Sequence, residues 1–228
     1  IGLFNLYGPD GVILGVGLSW FAYSPRIFKS FRESKIDFPL LKSKLGFMLN
    51  NYALDITTTF TGSIDKLIIA PMLGFALLGN YALGLQFMAM LTILPANVYR
   101  YVLPQDASGV STTKIKKGII FISIIISLVG IFIAPEIISR LFPKYEQAVF
   151  IIQIFSFSIV PTTISSMLIS KFLGDEKSLL VLIGSGVYIS SQVISILILG
   201  KIYGIDGVAA SFVIASILEA LYFMIINR

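Results

Sequence analysis

The sequence predicts an all-α integral membrane protein with seven transmembrane helices. Three observations predict it. The chain has 228 residues, of which 56% are hydrophobic and 13% charged, with mean hydropathy +0.91. A soluble domain carries about 25% charged residues, and no water-soluble fold covers this much apolar surface, so a bilayer is the better solvent. The apolar residues fall into seven stretches near the ~20 residues a helix needs to cross the hydrocarbon core. The connections between them carry basic residues mostly on alternate sides, as cytoplasmic loops do.

The first stretch, 11–28, opens with Gly11, Gly15 and Gly17 at close-packing spacing and ends at Pro25 and Arg26. The second, 45–71, is the most polar. The third, 77–99, contains Pro95 and runs into Arg100. The fourth is 118–138. The fifth, 148–172, contains Pro161, and the sixth, 179–199, contains Gly184 and Gly186. The seventh, 207–226, carries Glu219. A membrane barrel would show alternating stretches of about 10 residues instead. Prolines in such spans bend helices, and the paired glycines suit close helix contacts. No Gly-Lys-Ser/Thr follows any of these glycines, so none belongs to a phosphate-binding loop.

With these spans, one side of the membrane collects Arg26, Lys29, Arg32, Lys35, Lys42, Lys44, Arg100, Lys114, Lys116, Lys117, Lys171, Lys177 and Arg228, thirteen of the 17 basic residues. Lys66, Arg140, Lys144 and Lys201 lie on the other. The bias places the 26–44 loop and the C-terminus in the cytoplasm. That basic loop serves topology first, with contact to anionic lipid heads as a further role. It is too short and too closely pinned for nucleic acid. Cys and His are both absent. Disulfides, thiolate chemistry and any histidine-based triad are therefore excluded from this stretch, and a zinc site loses its usual ligands. The sequence starts at Ile1 without a signal-peptide pattern and reads as a piece of a longer protein.

A short element occurs twice. Tyr7, Gly8, Asp10 and Gly11 near the start return as Tyr203, Gly204, Asp206 and Gly207, each copy followed by an apolar stretch. The tyrosine suits the headgroup level, and the first glycine permits a tight turn. The aspartate is placed to cap the next helix, and the second glycine lets that helix start against a neighbour. Duplication of this kind points to a membrane protein of two similar halves.

Four segments then carry a resemblance. They are Asp65-Lys66-Leu67-Ile68-Ile69 with Leu73-Gly74 and Gly79-Asn80-Tyr81-Ala82; Leu103-Pro104; Leu141 to Ala148, with Pro143 where Gly is more usual; and Tyr203 to Ala210. Their order, spacing and orientation resemble the C-terminal half of the oligosaccharide flippases, or polysaccharide biosynthesis export proteins, of the multidrug/oligosaccharidyl-lipid/polysaccharide exporter superfamily. The resemblance implies three parts: residues 1–28 as the last helix of an N-terminal lobe, 29–44 as a basic cytoplasmic inter-lobe linker, and 45–228 as a six-helix C-terminal lobe. It also implies a multi-pass protein of the cytoplasmic membrane that moves a lipid-linked oligosaccharide between leaflets by alternating access. No enzyme chemistry, cofactor or metal is expected. The implied partners are the polyprenyl-diphosphate sugar, membrane lipids, the N-terminal lobe of the same protein and polysaccharide assembly enzymes. Two alternatives stand beside it: a drug or metabolite cation antiporter of the same superfamily, and a membrane-embedded polysaccharide polymerase or glycosyltransferase.

Polar residues inside spans mark the candidate pathway, because a charge at mid-membrane costs about 2.5–3.5 kcal/mol on insertion scales. Asn51, Asp55 and Thr58 or Thr59 recur along one face of the second span and should look into the bundle or a wet cavity. The competing reading is a structural hydrogen-bond seam. Glu219 is a second candidate, either proton-linked or paired. Cations for a diphosphate are scarce: Arg100 lies at the inner end of its span, Arg26 ends the first span, and Lys66 lies near the outer end beside Asp65, with simple snorkelling to the interface as the competing reading for all three. Gln86, Gln153 and Gln192 read as helix–helix glue.

Overall fold

The computed structural model describes residues 2–21, 23–33 and 38–227. Lys35 and Arg228, both counted in the charge bias, and the Tyr7 side chain lie outside the described parts. Every regular element among the described residues is helical. The chain divides into two units, 1–45 and 46–228.

Unit 1 contains α1 (Gly2–Phe21), α2 (Ser24–Glu33) and the start of α3 (Phe38–Leu73). The apolar helix ends at Phe21, several residues before the end expected from hydropathy. Ser24 starts a new helix with Pro25 in its first turn, where a missing N–H costs nothing. Ile27 and Phe28, read from hydropathy as the tail of the first span, belong to this separate amphipathic helix beside Arg26, Lys29 and Arg32. Hydropathy averages over a window, so it ran across the break.

Unit 2 holds the rest of α3, then α4 (Phe75–Leu91), α5 (Ile93–Ala107), α6 (Thr113–Phe132), α7 (Ala134–Leu141), α8 (Glu146–Gly174) and α9 (Ser178–Ile226). Among the described residues three helices are long and apolar enough to cross a membrane: α6, α8 and α9. A fourth is added if α4 and α5, bent by 51° at their junction, count as one span. The bend falls at Thr92, three residues before Pro95, whose ring cannot accept the preceding helical register. Helix α3 is polar along much of its length, with Asn50, Asn51, Asp55 and Asp65.

The long α9 is folded double. Gly204 sits at φ 59°, ψ −135°, a region that only glycine enters easily. The arms on either side pack against each other. A Cβ on Gly207 would overlap the Leu199 carbonyl, and one on Gly184 would overlap the Phe223 ring. The Tyr222 hydroxyl donates to the Leu180 carbonyl at 3.1 Å. In unit 1, Gly8 has nearly the same backbone, φ 59° and ψ −140°. The two copies of the repeated sequence thus make the same turn.

Helix α8 lies at the centre of unit 2, touching α4, α5, α6, α7 and α9. Along α6 the packing is inverted relative to a soluble bundle. On α6 the buried stripe is Ile119, Ser123, Ser127 and Gly130, while Phe121, Ile125 and Phe132 face outward. Small residues let helix backbones approach, and hydroxyls bond across the seam, which is how helices associate in lipid. The Ser127 hydroxyl donates to the Ser156 carbonyl at 2.6 Å, and Gln153 donates to the Ile131 carbonyl at 3.0 Å. A separate apolar cluster of Ile69, Tyr81, Phe155, Ile196 and Val208 ties α3, α4, α8 and both arms of α9 together.

Candidate functional site

Inside unit 2, a cavity of about 370 Å³ opens between α3, α4, α8 and the two arms of α9. Thr57, Thr58 and Asp65 come from α3, and Thr162 comes from α8. Ser185 and Tyr188 come from the first arm of α9, Phe212 and Glu219 from the second, and Leu85 closes the α4 side. The lining therefore carries two carboxylates and several hydroxyls, and among the described residues it includes neither Lys nor Arg.

The geometry starts with Asp65, only 3% exposed. One carboxylate oxygen accepts from the Tyr81 hydroxyl at 2.8 Å, and the other accepts from the Lys66 backbone N–H at 2.7 Å. Burying a carboxylate is tolerable only with such partners. Tyr81 is itself fully buried and meets Phe155 edge-on at 5.4 Å. Phe155 packs at a tilt against Phe212 at 5.2 Å, and Phe212 meets Tyr188 at 6.0 Å. A continuous aromatic row thus joins the buried carboxylate to the far wall of the cavity. Glu219 is half-buried and completes the acidic pair from the opposite helix.

The sequence-derived candidates divide. Glu219 lines the cavity. Asn51 is half-buried and donates to the Phe47 carbonyl at 2.8 Å within its own helix. Asp55 and Thr59 are exposed and outside the cavity, with Thr59 donating to the Asp55 carbonyl at 2.9 Å. The reason is rotational. The buried face of α3 carries Leu54, Asp65 and Ile69, and Asp55 is turned about 100° from Leu54. Arg100 is exposed on α5. Asp10 and Tyr203 are exposed, Asp206 is half-buried, and Gly11 and Gly207 are buried at the two helix entries. Gln86 is exposed and Gln192 is buried.

Asp65, Tyr188, Thr162 and Ser185 were not singled out from sequence. In sequence Asp65 stands as the neighbour of Lys66 near the outer end of its span. Its signal was its spacing from Thr57, Thr58 and Leu54, which marks one helix face. Hydroxyls accept and donate, and carboxylates accept, so the cavity suits a polyol or a cation. No group of three or more Asp, Glu, Cys or His sits close enough to hold a metal ion among the described residues.

These observations define an all-helical protein with several helices able to span a membrane, and a polar cavity among them. No family model, curated protein or solved structure matches the chain.

Proposed function

We propose that this chain forms part of a two-lobe transporter that moves a lipid-linked oligosaccharide across the cytoplasmic membrane. The observation that carries the reading is the cavity with Asp65, Glu219 and the Thr57, Thr58, Thr162 and Ser185 hydroxyls beside an aromatic row. Sugar hydroxyls donate to carboxylates and exchange bonds with Thr and Ser, while sugar C–H faces pack on rings. The matched Gly8 and Gly204 turns support a repeated plan. On this reading there are seven spans, α4 with α5 makes one of them, and each arm of α9 makes another. Residues 46–228 serve as one lobe, and alternating access rocks it against a second. No covalent step is required.

A second reading is favoured by one specific feature. Two carboxylates in a cavity with no basic residue among its described lining also suit a cationic drug or metabolite exchanged for protons or sodium. Both readings are tested with the full-length gene product in a strain lacking its own oligosaccharide flippase. The flippase reading expects surface polysaccharide to return with wild type and with Asp55→Ala, and to be lost with Glu219→Gln at normal expression. Failure of wild type to restore any polysaccharide, joined to drug resistance that Glu219→Gln abolishes, would transfer support to the antiporter.

A further inference from the structure

We infer that the basic end of unit 2 holds a site for an anionic phospholipid of the surrounding bilayer. Its phosphate lies among Lys116, Lys117 and Lys171, and an acyl chain lies between α8 and the second arm of α9. Two cavities meet there. The first, about 360 Å³, takes Lys116 and Lys117 from α6, Lys171 from α8 and Asn227 from the end of α9, over a floor that includes Met167 and Leu168. The second, about 390 Å³, is almost wholly apolar and includes Val160, Ile164, Ile217, Ala220 and Met224. Ile164 and Met224 line both. Each volume falls in the range of about 300–1,000 Å³ usual for ligand sites.

Of the three lysine charges in the first cavity, one is paired and two have no ion pair among the described residues. Lys116 is paired with Asp106 at 2.6 Å. Lys171 donates to the neutral Asn227 side chain at 2.8 Å and so keeps its charge. Lys117 is exposed and makes no ion pair among the described residues. Two ammonium groups therefore face one cavity without a counter-ion among the described residues. The second cavity continues from it along α8, where Val160, Ile164, Leu168 and Lys171 recur every three or four residues and so share one face. A free phosphate would use only the first cavity, and a neutral lipid would gain only from the second. A phosphate head joined to an apolar tail uses both, and basic pockets between transmembrane helices recognise such heads. The inference needs only that unit 2 sits in a bilayer, and it stands whether the transported substrate is a sugar lipid or a cation.

The chain purified in mild detergent is given equal amounts of phosphatidylglycerol and phosphatidylcholine, and retained lipid is counted by native mass spectrometry. Phosphatidylglycerol should be retained about tenfold or more over phosphatidylcholine. The double variant Lys117→Gln, Lys171→Gln should lose that preference, while Lys117→Arg, Lys171→Arg keeps it. Ile217→Trp, which fills the groove from an exposed position, should lower phosphatidylglycerol retention with helicity unchanged by circular dichroism. Equal retention of the two lipids by wild type, or a preference that survives the Gln pair, overturns the site. Displacement of phosphatidylglycerol by inorganic phosphate at matched concentration, with Ile217→Trp silent, shows a plain anion site and overturns it as well.

Discussion

Asp65 shows how one buried side chain depends on its partners. Its carboxylate has lost water and regains two bonds, from Tyr81 and from the Lys66 amide. Tyr81→Phe removes one donor and leaves shape intact. It should destabilise unit 2 by about 1.5–3 kcal/mol, the worth of a hydrogen bond to a charged group, read as a lowered denaturation midpoint in detergent. An unchanged midpoint would mean that water or another donor replaces the hydroxyl. Asp106 makes a similar junction. It accepts from Lys116 at 2.6 Å, Ser170 at 2.5 Å and Thr112 at 2.5 Å, joining α5, α6 and α8. Asp106→Ala strands a half-buried ammonium and should cost about 3 kcal/mol; a loss under about 1 kcal/mol would show that Lys116 simply swings to water. Neither junction was legible in sequence. Asp55 and Asp65 both sit on a polar amphipathic helix, and only the neighbouring helices decide which of two adjacent stripes is buried. In a membrane that choice is hidden further, because lipid-facing and core-facing positions are both apolar.

Helix ends were more legible, since turn chemistry is local. The repeated Tyr-Gly sequence predicted turns at Gly8 and Gly204, and both glycines adopt φ 59°. A Cβ at this φ is strained at any position, so Gly204→Ala should cost about 1–3 kcal/mol and lower the melting midpoint, although nothing crowds that Cβ. The α8–α9 corner is the opposite case. The Lys177 N–H donates to the Phe172 carbonyl at 2.7 Å, and the Glu176 N–H donates to the Leu173 carbonyl at 3.1 Å. This is the Schellman closure of a helix, with Glu176 at the left-handed position, φ 59°, where glycine is usual. Glu176→Gly should therefore stabilise by about 1 kcal/mol. A decrease in stability would mean that the contacts of the Glu176 side chain outweigh its backbone strain. The spans 148–172 and 179–199 marked a corner here but not its left-handed residue, because Gly174-Asp175-Glu176-Lys177 offers glycine two residues too early.

At the scale of the molecule, the question is how many times the chain crosses. Read as one straight rod, α9 with its 49 residues would be about 74 Å long, far beyond the ~30 Å hydrocarbon core. The fold at Gly204 resolves this. It returns Asn227 to the end where Lys171 lies, close enough for a 2.8 Å bond, and leaves Lys201 at the opposite end. The alternation of apolar spans put Lys171 and Lys177 on one side and Lys201 on the other, with the charge bias setting which side is cytoplasmic, and a hairpin at Gly204 is compatible with that expectation. Because the chain has no Cys, single cysteines report topology without background. Lys201→Cys should react with a membrane-impermeant maleimide applied to intact cells. Lys117→Cys and Lys177→Cys should react only after permeabilisation. Labelling of Lys177 and Lys201 from the same side would mean that the first arm of α9 does not cross, and the seven-span reading would fall with it. Labelling of Lys117 and Lys177 from outside, with Lys201 reacting only after permeabilisation, would reverse the charge rule for this chain while leaving the helices where they are.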